Sequence, residues 1–221
     1  MKKIIAIDGH AATGKSTLAK RIAKSLGFTY VDTGAMYRAI TFYFIKTKML
    51  TEPLDIKHII KNLENIDIKF KNIKKSQLIL LNGNDVEPHI RKMEVAEKVS
   101  IVAAIPEVRK FLVKIQRTIA VKNNIVMDGR DIGTVVFPDA KNKFFLTASA
   151  EIRSKRRFEE LKLDNENVVY SKVFENIKKR DYEDTSRQDS PLRPAKEAIV
   201  IETSNLNKDQ VYDRLISLIN I

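Results

Sequence analysis

The chain contains no cysteine. That excludes disulfides, thiolate nucleophiles and cysteine-ligated zinc or iron–sulfur centres. Histidine is nearly as scarce. His10, His58 and His89 are too few and too scattered to form a convincing metal site, and His58 and His89 read as surface or loop residues. No apolar run approaches the length of a membrane span or a signal peptide, so a cytoplasmic location without membrane attachment is the expectation. Repeats, low-complexity tracts and linkers are missing too. What remains is a 221-residue chain, 43% hydrophobic and 31% charged, which reads as one soluble globular domain over residues 1–221, long enough for a single sizeable core.

Negative charge is in short supply as well, and the net charge is +12. Nucleic acid, a membrane surface or small phosphorylated ligands would each suit such a chain. Lysines supply most of the charge and are strewn along it, as in "FKNIKKS", which is the pattern of solvated faces. Arginines are fewer and concentrate in the motifs below. Their rigid fork suits phosphates and planar bases, so their placement is the more telling signal.

Strands and helices alternate. "KKIIAID" is a short apolar run of strand length ending at Gly9, and Leu18, Ile22 and Leu26 then mark one helix face closed by Gly27. "FTYVDTG" predicts a second strand that Thr33 and Gly34 end, followed by a helix from about Ala35 to Lys48 whose Phe42, Tyr43 and Phe44 read as core. "DIKHIIKNLEN" predicts another amphipathic helix. The rhythm then changes. Ile66, Ile68 and Phe70 alternate with Asp67, Lys69 and Lys71, and "SQLILLNGNDV" carries an Asn82-Gly83 turn. A small antiparallel insertion over about 64–92 is expected, bearing on substrate. Two helices straddle Pro106, and "NNIVMDGRDIG", "KNKFFLTAS" and "EAIVIETS" read as further strands. Between the last two lie the basic helical stretches "AEIRSKRRFEEL" and "VYSKVFENIKKRDYE". A closing helix over "NKDQVYDRLISLIN" is expected to be capped by Ser204 or Asn205. The fold class is therefore α/β, an open and mostly parallel sheet with its ligand site at the carboxyl ends of the strands.

Gly9-x-x-x-x-Gly14-Lys15-Ser16 matches the P-loop pattern and sits between a predicted strand and a predicted helix, the context that gives the pattern meaning. Chance alone would supply it on the order of one time in a hundred in a chain this long. The glycines let successive N–H groups point at phosphate oxygens, and the helix adds its positive dipole end. Gly9, His10, Ala11, Ala12, Thr13, Gly14, Lys15, Ser16 and Thr17 are the expected ATP-binding residues, with Lys15 on the β/γ-phosphates and Ser16 on Mg²⁺. A P-loop does not by itself separate a GTPase, a motor, a transporter subunit and a kinase. A GTPase needs Asn-Lys-x-Asp, and the nearest stretch, "NKDQ", has its acid one place early. A motor or nucleic-acid ATPase is usually larger. A small-molecule kinase remains.

Four further stretches carry a resemblance: "VDTGAMYRA" at 31–39, "EVAEKVSIVAAIPEVRKFL" at 94–112, "VMDGRDIGTVVFPDA" at 126–140 and "KKRDYEDTSRQDSPL" at 178–192. With the P-loop and "LNGNDV" they resemble the bacterial cytidylate kinases, from Ile4 to about Leu215 without a large gap. The resemblance implies a P-loop kinase fold with a helical lid at about 150–170, and transfer of phosphate from ATP to CMP or dCMP with Mg²⁺. It implies small-molecule partners, no nucleic acid, and a monomer. A kinase for UMP or another small acceptor is the runner-up, and a basic nucleic-acid-binding P-loop ATPase is the alternative of another class.

The resemblance also assigns residues. Arg38 and Arg130 would hold the acceptor phosphate, and Thr33, where the family more often has serine, would lie near CMP. Asp131 would read the cytosine ring with Ser100 and Arg109, while Arg180, Asp184 and Arg187 would contact ribose and phosphates. Asp128 falls where a Walker B acid belongs and would hold Mg²⁺ with Ser16. In "RSKRR", the three- and four-residue spacing groups Arg153 with Arg156 and Arg157 on one helix face. That resembles a nucleoside monophosphate kinase lid, with Arg153 and Arg157 joining Lys15 and Arg130 in catalysis.

Overall fold

The computed structural model describes residues 2–73, 76–163 and 168–220. The tip of the expected hairpin at 74–75 and residues 164–167 of the expected lid lie outside the described residues. In chain order, β1 (Ile4–Gly9) leads into α1 (Lys15–Leu26) and β2 (Thr29–Asp32). Then come α2 (Thr33–Lys46), α3 (Ile56–Leu63), β3 (Ile68–Ile73), β4 (Ser76–Leu81), β5 (Asn84–Asp85), α4 (Glu87–Ile90), α5 (Met93–Ala103) and α6 (Pro106–Lys122). The chain continues through β6 (Ile125–Gly129), a π-helical turn (Ile132–Val136), β7 (Asn142–Thr147), α7 (Ala150–Leu163), α8 (Tyr170–Ser186), β8 (Ile199–Glu202) and α9 (Lys208–Ile216). Among the described residues no helix is long and apolar enough to cross a membrane.

Contacts divide the chain into two units, Met1–Asp32 with Gln116–Ile221, and Thr33–Ile115. The first unit holds a five-stranded parallel sheet in the order β2-β6-β1-β7-β8. Its central strand is the apolar run before the loop. Ile5, Ala6 and Ile7 are fully buried, as a strand covered on both faces must be. Leu18, Ala19, Ile22 and Ala23 of α1 and Val211 and Leu215 of α9 pack with Ile5, Ile7, Val126, Phe144, Leu146 and Ile201 of the sheet. Gly27 ends α1 at φ 67, the left-handed conformation that glycine adopts without strain. Helices thus flank a parallel sheet whose first strand feeds the phosphate-binding loop, the P-loop NTPase arrangement.

The second unit contains the antiparallel sheet β3-β4-β5. Asn82 at φ 49 and Gly83 at φ 81 form the turn between β4 and β5, and Ile79 of β4 is buried. Phe44, Ile59, Ile90, Val102, Val108 and Leu112 fill the interior around α2. Phe44 is core as its place in the aromatic run implied, while Phe42 lies half-buried and stacks on His89 with ring centroids 5.2 Å apart.

Two boundaries differ from expectation. Thr33 and Gly34 do not end a strand: α2 begins at Thr33, directly after β2. Burial of Thr33 with Met36, Tyr37 and Ile40 carries the helix back through the glycine, and tertiary packing overrides glycine's weak propensity. The cap of α9 is Asn207 rather than Ser204 or Asn205. Asn207 accepts from the N–H groups of Asp209 and Gln210, and Gln210 Oε1 accepts the Asn207 N–H at 2.9 Å. Such a reciprocal box needs Glu or Gln three residues after the cap, which only position 207 has. Ser204 is otherwise engaged, its hydroxyl accepting the Ser149 N–H at 2.9 Å. Two elements are additions: the short α4 and the π-helical turn after β6.

Asn207→Ala removes both acceptor bonds at an exposed helix start. It should lower unfolding stability by about 1 kcal/mol with an unchanged denaturant slope. Urea unfolding checks this, and a loss below about 0.3 kcal/mol would show that the box contributes nothing.

Candidate functional site

The loop between β1 and α1 is built on backbone that few side chains allow. Gly9 has φ +148, and a Cβ there would meet the Leu146 carbonyl oxygen at 2.1 Å, so β1 and β7 approach closely only because the residue is glycine. Ala12 and Gly14 are also at positive φ. Gly14 caps α1 without a side-chain acceptor, leaving the helix's first N–H groups and positive dipole end to the loop. The His10 carbonyl gathers the loop inward, accepting from Thr13 Oγ1 at 3.0 Å and from Lys15 Nζ at 2.8 Å. His10 Nδ1 is buried without a hydrogen-bond partner, and burial holds the ring below its ordinary pKa. Thr17 is exposed on the first turn of α1.

Lys15 is 6% exposed. Burial, then the nearby Arg130 charge, push its ammonium down to about 7 against the pull of Asp128. Ser16 Oγ donates to Asp128 Oδ2 at 2.7 Å, and the Tyr30 hydroxyl donates to Asp128 Oδ1 at 2.8 Å. Asp128 is pushed up from the ordinary aspartate value, by burial first and then by Asp32, its register partner on β2. The expected metal ligands Ser16 and Asp128 are therefore brought into contact between the first turn of α1 and the carboxyl end of β6. A hydroxyl and a carboxylate are hard oxygen donors of the kind Mg²⁺ takes when nucleotide phosphates complete its shell, so the residues fit that ion.

A second cluster surrounds Asp184 on α8. Arg130 Nε donates to its Oδ2 at 2.8 Å, and Arg187 Nη1 lies 3.5 Å from its Oδ1. Burial pushes Asp184 up, but the charges of Arg130, Arg180 and Arg187 outweigh it and hold the carboxyl below its ordinary value. Three expected arginines are thus gathered by the carboxylate of a fourth expected residue.

The arginines of α7 diverge to separate partners. Arg153 makes a two-pronged pair with Asp181 at 2.8 and 2.6 Å, donates to the Ala148 carbonyl at 2.8 Å and reaches the Ala11 carbonyl of the loop at 3.5 Å. Arg156 donates to the Thr203 carbonyl at 2.8 Å, and Arg157 to Glu160 at 2.8 Å.

Asp8 was not singled out from the sequence. It is 3% exposed, and its two oxygens accept the N–H groups of Ile132 and Gly133, each at 2.8 Å. Burial and the Asp131 charge raise its carboxyl to about 7, opposed by those N–H groups and by Lys15. Asp131, 4% exposed, precedes the π-helical turn and its carbonyl accepts from Val135 N–H at 2.8 Å.

Within the second unit, Thr33 and Arg38 lie on α2, Ser100 on α5 and Arg109 on α6. Thr33, Ser100 and Arg109 are buried at 3%, 7% and 3% exposure. Arg109 donates to the Ala103 carbonyl at 3.0 Å and lies over the Tyr37 ring, 5.6 Å from its centroid. That places Arg109 beside the residue that precedes Arg38.

Known proteins decide the family. The cytidylate kinase family model matches residues 5–221. The chain belongs to the cytidylate kinase family. It is 51% identical over 211 residues to the cytidylate kinase of Caldanaerobacter subterraneus subsp. tengcongensis, covering 96% of this chain and 92% of that one. It is 47% identical over 224 residues to the cytidylate kinase of Flavobacterium psychrophilum, covering 100% and 99%. Among solved structures, an uncharacterized protein from Eubacterium ventriosum shares the fold with a TM-score of 0.50, at 14% identity over 98% of this chain and 97% of that one. Beyond the residues assigned a role from the sequence, Tyr30, Asp181 and Asp8 emerge as partners of Asp128, Arg153 and the π-helical turn, Asp181 from within the likeness stretch 178–192 and the other two from outside the likeness stretches. The one hint available for Asp8 was its place as the acid directly before the first P-loop glycine.

Asp184→Ala should cost about 3 kcal/mol, because it leaves Arg130 and Arg187 buried without their carboxylate. Asp184 is held below its unfolded value, so its contribution is present above about pH 4 and lost as pH falls through the folded value. The variant should therefore lose less stability than the wild type between about pH 5 and pH 3. Urea titrations across that range test both points, and parallel acid curves would show that Asp184 is not the titrating group.

Proposed function

We propose that this chain transfers the γ-phosphoryl group of ATP to CMP or dCMP, giving ADP and CDP or dCDP. The observation that carries the reading is the 2.7 Å contact of Ser16 with Asp128 beside the buried Lys15. It joins hydroxyl, acid and lysine as phosphoryl transfer from a nucleoside triphosphate requires. The relatives' name, cytidylate kinase, supplies the acceptor.

In this reading the loop Gly9–Thr17 binds ATP, with its N–H groups on the phosphates. Lys15 leaves the His10 carbonyl for the β/γ-phosphates, where a partner anion restores its full charge. Ser16 and Asp128 hold Mg²⁺, which neutralises phosphate charge when bound. Arg38 and Arg130 hold the acceptor phosphate so that its oxygen attacks the γ-phosphorus in line, with Thr33 near the same nucleotide. Arg180, Asp184 and Arg187 contact its ribose and phosphate. Arg153 and Arg157 stabilise the charge that spreads over the transferring oxygens. Catalysis is positioning and charge neutralisation without a covalent intermediate. Small nucleotides are the partners, and the chain acts as a monomer in the cytoplasm.

Lys15→Ala should abolish transfer and leave the fold intact. Turnover within about tenfold of wild type, under ~1.4 kcal/mol in the barrier, would overturn the loop assignment.

Base choice follows from hydrogen-bond polarity. Cytosine presents an N4 amino donor beside an N3 acceptor, and uracil the reverse. Asp131 accepting from N4 and Arg109 donating to the ring, with Ser100 nearby, would leave UMP with two mismatches. Each buried mismatch costs roughly 1–3 kcal/mol. CMP and dCMP should therefore exceed UMP by at least about a hundredfold in kcat/KM, and Asp131→Asn should narrow the gap, since an amide also donates to O4. A coupled ADP-release assay over CMP, dCMP, UMP, AMP and single-stranded RNA measures this. Equal values for CMP and UMP would discard the cytosine reading, and stimulation by RNA alone would favour a nucleic-acid ATPase.

A further inference from the structure

We propose that Asp8 is a positioning residue for base recognition: a clamp that ties the start of the phosphate-binding loop to the segment carrying Arg130 and Asp131. Its role rests on the assignment of Asp131 to the cytosine ring. Asp8 closes the apolar part of the central strand β1, directly before Gly9. Its carboxylate takes the Ile132 N–H on one oxygen and the Gly133 N–H on the other, both at 2.8 Å. Those N–H groups open the π-helical turn, where a helical segment has no acceptor of its own. A hydroxyl or amide would satisfy one of them. The two oxygens of a carboxylate satisfy both, and two parallel bonds fix the direction of the turn as well as its distance.

The consequence falls on Asp131. The Ile132 nitrogen belongs to the peptide plane that leaves Asp131, and the carbonyl of the same plane accepts the Val135 N–H at 2.8 Å. Both ends of that plane are therefore held, one of them by Asp8. The plane sets the ψ of Asp131, and so the direction in which its side chain leaves the backbone. Asp8 also feels the charges of both Asp131 and Lys15. One buried carboxylate thus links the strand that delivers the donor loop to the residue assigned to the acceptor base. A group that only filled space would affect stability and leave substrate preference alone.

Asp8→Asn separates the two roles. The amide keeps one acceptor and turns an NH₂ toward a backbone N–H. The ratio of kcat/KM for CMP to that for UMP should fall at least about fivefold, mainly through KM for CMP, while the Kd of a non-hydrolysable ATP analogue stays within about threefold. A wild-type ratio near one overturns the Asp131 reading and this proposal with it. A high wild-type ratio that Asp8→Asn leaves unchanged overturns the clamp alone, whatever happens to Tm. Should the variant not fold, amide exchange on the wild-type chain decides. Coupling is reciprocal, so saturating CMP should slow exchange at Ile132 and Gly133 at least about fivefold more than saturating UMP. Equal protection by the two nucleotides overturns the proposal.

Discussion

Buried carboxylates at the carboxyl ends of parallel strands are the constraint from which the rest of the charged architecture follows. Asp8 ends the apolar part of β1, Asp128 lies near the end of β6, and Asp32 pairs with Asp128 in register on β2. Each is at most 4% exposed. A carboxylate taken out of water is costly unless hydrogen bonds and opposite charge replace its hydration. Asp128 has Ser16, Tyr30 and the Lys15 charge, and Asp8 has two backbone N–H groups. Compensation is incomplete, and both carboxyls stay above the ordinary aspartate value. An unfinished balance of this kind is what a site for a cation and phosphate groups needs, since both arrive with charge of their own.

The same logic, with signs reversed, organises the arginines. Asp184 sits among Arg130, Arg180 and Arg187, and there compensation prevails: the carboxyl is held below its ordinary value. The arginine forks are thereby oriented before any ligand arrives, which lowers the ordering that binding must impose. Arg153 extends this order to the phosphate-binding loop, because the guanidinium that pairs with Asp181 also reaches the Ala11 carbonyl. The helix following β7 is thus connected to the loop following β1 through a single side chain.

Much of this protein is legible in its sequence. Local periodicity marked the parallel strands and the helices, because a strand buried on both faces must be continuously apolar and a helix must repeat its apolar positions every three to four residues. The phosphate-binding loop, the Asn82-Gly83 turn and the start of α6 at Pro106 were likewise local, being set by backbone angles that few residue types allow. The family likeness rested on contiguous motifs and named the chemistry. What escaped was where neighbours decide locally ambiguous positions. Gly34 is helical because Thr33 and Met36 are buried around it, and Asn207 outcompetes Ser204 as a cap because Gln210 completes its box and Ser149 occupies Ser204.

Sequence by itself determined the type of fold, the loop, its lysine and the residues that carry family likeness, since each is written in residues adjacent along the chain. Tertiary structure alone decided which charge balances which. Ser16 meets Asp128 across 112 positions, Tyr30 meets Asp128 across 98, Arg130 meets Asp184 across 54, and Asp8 meets Ile132 across 124. No local pattern records such pairings. They exist because parallel strands must be joined by crossovers, so residues side by side at the carboxyl edge of the sheet are separated by the helices that connect them.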